Sequence, residues 1–328
     1  MTISKNVIYF FILLHIFGCE KVDDISILIP TPSHFPKIEY PPSNLPSKKK
    51  LAFGKLLFFD TRLSLDSTLS CASCHLPEYA FSDTTAVSIG VGGSLGKRNA
   101  PTLLNVAYEK LFNKDGGVTK LDIFALVPIE DHNEMGISIL ELSKRLSKDV
   151  TLQKTANEIY GRNIDAFVIS RSLSSYVRSL ISAESKYDSF YVNQITLSEI
   201  EERGRKLFFS PSVNCSSCHS GILFTNQAFE NNGTKETYLD QGRKLVTGKA
   251  EDWGKFKVPS LRNVKMTAPY MHDGSFNTLQ QVIAHYNNGG KNHVNKNSLI
   301  KPLNLSDQDQ RDLLAFLHTL TDKKYIEY

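Results

Sequence analysis

Two five-residue strings constrain this chain more than anything else in it: Cys71-Ala72-Ser73-Cys74-His75 and Cys215-Ser216-Ser217-Cys218-His219. C-x-x-C-H is the attachment signature of a c-type haem. The spacing follows from the chemistry: two thiols add to the two vinyl groups of one porphyrin, and the next residue sets an imidazole beneath the iron. The chain has five cysteines, and with Cys19 set aside all the others lie in these strings. A four-cysteine zinc site and two local disulfides are the competing readings. The histidine directly after each pair points away from both.

An internal repeat accompanies the motifs. Gly54-Lys-Leu-Leu-Phe-Phe59 precedes the first and Gly204-Arg-Lys-Leu-Phe-Phe209 the second. Each run closes a predicted helix, the second opened by Ser198 and Glu201 at capping-box spacing. Each half also ends in an amphipathic helix. In the first, Phe167, Leu173, Tyr176, Val177 and Leu180 share a face. In the second, Ser306 starts a helix whose apolar face is Leu313, Leu314, Phe316, Leu317 and Leu320. Alternating valine and isoleucine are sparse. The expected fold is mostly α, with two cytochrome c-like domains, each wrapped round one covalently attached haem.

The 328 residues allow about two domains. At 41% hydrophobic there is material for two cores, and a net charge of +4 is too small to argue for nucleic acid. The longest basic cluster, Lys48-Lys49-Lys50, reads as a solvated stretch before a helix. Residues 1–19 read as an export signal: Lys5, then an apolar run from Val7 to Gly18 too short to span a bilayer. Its end, Ile16-Phe17-Gly18-Cys19, is similar to the lipobox of bacterial lipoproteins, which places a lipid on Cys19 and anchors the protein to a membrane without spanning it. Residues 20–48 hold six prolines and read as a tether. An N-terminal domain over 49–190 and a C-terminal domain over 191–328 follow.

Further segments carry a specific likeness. These are Ser88-Ile-Gly-Val-Gly-Gly93, Lys97-Arg-Asn-Ala-Pro-Thr-Leu-Leu-Asn-Val106, Pro128-Ile129, Glu134-Met-Gly136, Lys257-Val-Pro-Ser-Leu-Arg-Asn-Val264 and Ala268-Pro-Tyr-Met-His-Asp-Gly-Ser-Phe276. With the two haem motifs, and in this order, they make the chain from about residue 49 to 322 resemble the bacterial di-haem cytochrome c peroxidases and their MauG-type relatives. The resemblance implies that His75 is the proximal ligand of a peroxidatic haem and His219 that of an electron-transfer haem. It implies that Glu134 is the acid/base over the first iron, with Pro128 shaping the same pocket. It also implies one calcium ion, held through Asn99, Thr267 and Pro269, where oxygen donors suit a hard cation.

The sixth ligand of the second haem is expected on the run Thr278-Leu-Gln-Gln-Val-Ile-Ala-His-Tyr-Asn-Asn-Gly289. Thr278 and Gln281 form a capping box, and Gly289 suits the stop. Leu279, Val282, Ile283 and Tyr286 fall on one inward face. Tyr286 stands where many family peroxidases carry methionine and MauG-type members tyrosine. His285, about 100° round the helix, is the runner-up, followed by Met271 and Met266. A phenolate favours the higher iron oxidation states, whereas a thioether raises the potential.

Three departures from the family pattern matter. Val91 occupies the place of a histidine that blocks the oxidised first iron in many members, so that iron is expected to be five-coordinate and open. Lys114 stands where a tryptophan often lies between the haems; the chain's one tryptophan is Trp253. Phe124 replaces a pocket glutamine common in MauG-type proteins. The leading expectation is a periplasmic enzyme that reduces hydrogen peroxide to water with electrons from a small cytochrome c or cupredoxin. The alternatives are MauG-type oxidation of side chains in a partner protein, and a non-enzymatic electron carrier.

Overall fold

In a computed structural model the described residues are 28–322 and Lys324; the export signal, Cys19 and residues 20–27 lie outside them. The longer helices, in chain order, are α1 (Lys48–Phe58), α2 (Ile139–Leu146), α3 (Val150–Tyr160), α4 (Ala166–Arg178), α5 (Glu199–Phe208), α6 (Leu279–Asn287) and α7 (Asp307–His318). Loops and short helical turns join them. Among the described residues, strand structure is confined to a two-residue antiparallel ladder, β1 (Phe229–Glu230) with β2 (Phe256–Lys257), and isolated bridges.

The helices begin where side chains can satisfy free backbone N–H groups. Ser47 accepts from Lys50 N at the start of α1, and Asp165 from Val168 N at the start of α4. Capping boxes open α5 (Ser198, Glu201), α6 (Thr278, Gln281) and α7 (Ser306, Asp309). The Lys48-Lys49-Lys50 run forms the first turn of α1 instead of preceding it, because Ser47 caps one residue earlier.

The repeat seen in the sequence is a repeated helix pair. α1 crosses α4 in the first half, and α5 crosses α7 in the second. Gly54 and Gly204 lie at the two crossings. A Cβ on Gly54 would overlap the carbonyl oxygen of Ser172, and one on Gly204 that of Asp312. Only a bare Cα lets the partner backbone approach so closely. Beside each glycine an aromatic pair fills the interface: Phe58 against Tyr176 at 5.2 Å, and Phe208 against Phe316 at 5.1 Å between ring centres. The first core continues through Leu57, Leu63, Phe81, Ile129, Ile137 and Leu142, the second through Val213, Phe224, Ile283 and Leu313.

The expectation of a free tether over 20–48 needs correction from Leu28 onward. The prolines exclude a continuous helix there, leaving a 3-10 turn at Pro42–Asn44, but do not exclude burial. Ile29 and Phe35 are buried with Ile181 and Ala183, at the join between the halves. The Arg262 guanidinium lies 4.6 Å over the Phe35 ring. It also makes a buried bidentate pair with Asp188 (2.9 and 2.7 Å), whose Oδ1 is 3.1 Å from His34 Nε2. Asn44, 1% exposed, donates to Asp122 Oδ1 (3.2 Å) and to the Arg171 carbonyl (3.1 Å). The segment has enough apolar and amide side chains to dock. No helix among the described residues is long and apolar enough to cross a membrane.

Candidate haem sites and the turn above the first

Both C-x-x-C-H motifs are short helical turns whose histidine N–H returns to the first cysteine carbonyl: His75 to Cys71 at 3.0 Å and His219 to Cys215 at 2.9 Å. This local winding puts two thiols and an imidazole on one side of the turn. His75 Nδ1 lies 3.0 Å from the Phe81 carbonyl, and His219 Nδ1 lies 3.1 Å from the Phe224 carbonyl. A carbonyl only accepts, so Nδ1 carries the proton in each case and the Nε2 lone pair is left for a metal. Burial lowers the pKa of both imidazoles and keeps them neutral. Phe81 and Phe224 both have left-handed backbones, with φ of 56° and 53°, which turns those carbonyls back toward the histidines.

A second pair of equivalent groups braces each loop. Thr102 Oγ1 donates to the Ala80 carbonyl (2.5 Å) and accepts from Leu104 N (3.1 Å). Ser260 Oγ donates to the Leu223 carbonyl (2.6 Å) and accepts from Arg262 N (3.1 Å). Asn105 N and Asn263 N then donate to Leu180 and Leu320 carbonyls at the ends of the two closing helices. Pro101-Thr102-Leu103-Leu104-Asn105-Val106 and Pro259-Ser260-Leu261-Arg262-Asn263-Val264 are the readable signal of this symmetry.

The donor set fits covalent haem and not the competing readings. The four cysteines are not bridged, and burial pushes the Cys71 and Cys215 thiols up to about 12. Among the described residues no three His, Cys, Asp or Glu side chains converge as a metal site, which removes the four-cysteine zinc alternative.

Glu134 sits on a tight turn held from two sides. Glu134 N donates to Asp131 (3.0 Å), Met135 N to Pro128 (3.1 Å), and Val91 N to the Glu134 carbonyl (2.8 Å). A Cβ at Gly90 would overlap the Asn133 carbonyl, so the Val91 loop lies directly on this turn. Pro128 and Val91 therefore both fix the backbone of Glu134. Burial raises the Cys74 thiol's pKa, with smaller contributions from the Asp83 and Glu134 charges, so Glu134 lies within electrostatic reach of the first motif. Surrounding protein raises the Glu134 carboxyl in turn, with a smaller contribution from the Asp131 charge.

The second motif opens on a large hollow shared by Cys215, Cys218, His219, Phe208, Leu279 and Tyr286. Tyr286 faces into it from α6. His285 does not: its Nε2 is 2.9 Å from the Asn232 carbonyl. Met271 reaches the same hollow, but its sulfur accepts from Asn232 Nδ2 at 3.1 Å, and Met266 packs against the first core. Burial pushes the Tyr286 phenol up to about 12. As a free side chain it stays protonated, and a cation opposite it is what a phenolate there requires.

Asn99, Thr267 and Pro269 line this hollow together. Asn99 is 6% exposed and engages Thr85 O through Nδ2 (3.1 Å), which leaves its Oδ1 uncommitted. Nearby, Arg98 joins the halves: it donates to Asp240 (2.6 and 2.9 Å) and to Asp115 (2.6 Å). This network was not foreseen, because nothing in sequence spacing links residues 98 and 240. Phe124 stacks on Phe112 with ring centres 5.5 Å apart.

A family profile described as di-haem cytochrome c peroxidase matches residues 48–196, and one described as cytochrome c matches residues 201–321. The methylamine utilization protein MauG of Methylorubrum extorquens is 32% identical over 286 residues, spanning 86% of this chain and 81% of the relative. The chain belongs to the di-haem cytochrome c peroxidase and MauG family. The cytochrome-c peroxidase IdrP1 of Pseudomonas sp. (strain SCT) is likewise 32% identical, with 87% and 84% of the two chains covered. Among solved structures, a MauG-like protein associated with microbial copper homeostasis matches with a TM-score of 0.86 at 33% identity, over 90% of this chain and 96% of that one. The di-haem peroxidase BthA of Burkholderia thailandensis matches with a TM-score of 0.78 at 26% identity, over 86% and 88%. Membership makes the chain an oxidoreductase and implies two c-type haems, one for each motif described above.

Proposed function

We propose that the protein is an exported peroxidase that reduces hydrogen peroxide to water, drawing two electrons from a small cytochrome c or cupredoxin. The observation that carries the reading is the Glu134 turn, whose backbone is fixed from two sides and whose carboxylate acts electrostatically on Cys74 of the first motif, with an apolar residue, Val91, on the adjoining loop. Cys71, Cys74 and His75 would hold the haem whose redox chemistry serves O–O cleavage, and Cys215, Cys218 and His219 would hold one suited to storing and relaying electrons. Glu134 takes the proton from the near peroxide oxygen and returns it to the departing one. Its raised pKa suits the second half of that task, since a carboxyl that holds its proton more tightly stays loaded until it is needed. Overall H2O2, two protons and two electrons give two waters. Pro128 acts by holding Met135 and hence the Glu134 backbone. Asn99, Thr267 and Pro269 bind one calcium ion between the halves. The export signal and a lipid on Cys19 place the reaction in the periplasm, at a membrane surface.

A second reading, oxidation of a partner protein's side chains as in MauG, is favoured by Tyr286. It faces the hollow from α6 with the Asn232 side chain beside its phenol, while the His285 ring is turned away onto the Asn232 carbonyl. A phenolate ligand stabilises oxidised iron and so favours stored oxidising power over rapid electron uptake. EPR and absorption spectra of the oxidised protein, before and after peroxide, test the shared premise: one high-spin iron with an open face and one low-spin iron. Two low-spin six-coordinate irons would leave only an electron carrier. Turnover with a reduced small redox protein then separates the first reading from the second, which predicts a covalent product on a partner instead.

A further inference from the structure

We propose that Lys114 is a cofactor-binding residue whose ammonium pairs with a propionate carboxylate of the haem attached at Cys215 and Cys218. The inference goes beyond peroxide chemistry and depends only on the second haem being in place.

Lys114 is held by its backbone. It lies in a turn closed by Phe112 N to the Val118 carbonyl (2.7 Å), with left-handed Asn113 and Gly116, and its own carbonyl accepts from Lys257 N at 2.7 Å. From there the side chain enters the same hollow as Cys215, His219 and Tyr286. Three cations meet at this place, and two are answered by protein. Arg98 is matched by Asp115 and Asp240. Lys257 is matched by Glu109 and by the Leu111 carbonyl at 2.8 Å. Lys114 makes no side-chain hydrogen bond or ion pair with any described residue.

The carboxylates within reach are already engaged. Glu109 serves Lys257, Glu230 accepts from Asn297 at 2.7 Å, and Asp273 pairs with Lys235 at 3.0 Å. Lys114 is half-buried on the wall of the hollow, and an ammonium there becomes costly once whatever fills the hollow excludes water, unless an anion comes with it. Burial, and to a lesser degree the Lys257 and Arg98 charges, push its pKa down to about 8, and the Asp273 and Glu109 charges offset only part of that. None of these carboxylates pairs directly with the Lys114 ammonium, which leaves it open to an anion brought by whatever fills the hollow. A haem bound at the second motif brings two propionates, the only anionic groups on an otherwise apolar disc.

The experiment is a spectroelectrochemical titration of the di-haem proteins Lys114→Met and Lys114→Arg, paired with resonance Raman spectra of the propionate bending bands. Removing a positive charge beside the second haem stabilises its ferric form. Lys114→Met is therefore expected to lower the midpoint potential of that haem and move a propionate band, while the first haem is unchanged. Lys114→Arg is expected to keep both signals near the parent values. Should Lys114→Met not fold, Lys114→Gln is read by the same signals. The proposal is overturned by unchanged signals in the neutral variant, by a shift confined to the first haem, or by an arginine variant that behaves like the neutral one. None of these readouts needs peroxide turnover, so failure here and failure of the peroxidase reading are distinct results.

Discussion

The two halves share nearly everything below the haem and nearly nothing above it. Below, the correspondence runs residue by residue: Gly54 with Gly204, Phe81 with Phe224, Thr102 with Ser260, Asn105 with Asn263. Each pair does the same job, bringing helices together or aiming a carbonyl at Nδ1. Above, the first half presents the Glu134 turn backed by Val91 and Pro128, and the second presents Tyr286 from α6. A duplicated scaffold fixes cofactor and proximal histidine alike in both places. Under the proposed function, chemistry is then assigned by what each half puts on the remaining face: Glu134 as proton donor over one, Tyr286 as ligand over the other.

That contrast can be broken first at Glu134. Glu134→Gln is expected to lower peroxide turnover by about 10²–10⁴-fold, with both haems loaded and the second haem's spectrum intact, as followed by stopped-flow absorption. The pH profile sharpens the same point. Glu134 must be ionised to accept the first proton, so activity falls as pH drops through its pKa. Because burial raises that pKa, the acid limb lies above the ordinary carboxylate range, and it disappears in Glu134→Gln. Tyr286→Met addresses the other face. A thioether in place of a phenolate raises the second haem's potential, and redox titration should find the first haem unaffected.

The shared scaffold predicts matched effects. Gly54→Ala and Gly204→Ala each force a methyl into the opposing helix backbone and should cost about 1–3 kcal/mol of stability, seen as similar shifts in urea midpoint. Thr102→Ala and Ser260→Ala each remove a hydroxyl bridge and should cost about 1 kcal/mol. If either pair gave strongly unequal losses, the equivalence would be superficial.

Much of this was legible in the residues. The haem motifs, the helix starts at Ser198, Thr278 and Ser306, and the inward face carrying Tyr286 depend on neighbours a few positions apart, and such patterns survive folding. The Lys48-Lys49-Lys50 run was misplaced by one cap. The docked segment after Leu28 was missed because prolines announce the lack of a helix and are silent about burial. Arg98 with Asp240, Arg262 with Asp188, and the exclusion of His285 by the Asn232 carbonyl all join residues far apart in sequence. No periodicity encodes such pairs. The Pro-Thr-Leu-Leu-Asn-Val and Pro-Ser-Leu-Arg-Asn-Val strings were visible, but their common role shows only when their hydroxyls are seen bonded to the loops that hold the histidines.

The Asp322 carboxylate gathers three donors from the stretch that connects the halves: Ser182 Oγ at 3.0 Å, Ala183 N at 2.9 Å and Glu184 N at 3.0 Å. Asn263 adds a fourth link to Ser182 Oγ at 2.8 Å, and Asn105 holds Ser182 from the other side. The connector is thus held by Asp322, Asn263 and Asn105 from both halves, which opposes hinge motion there. Calorimetry should accordingly record a single melting event, and the gap that electrons cross between the iron centres should keep a constant width throughout the working cycle.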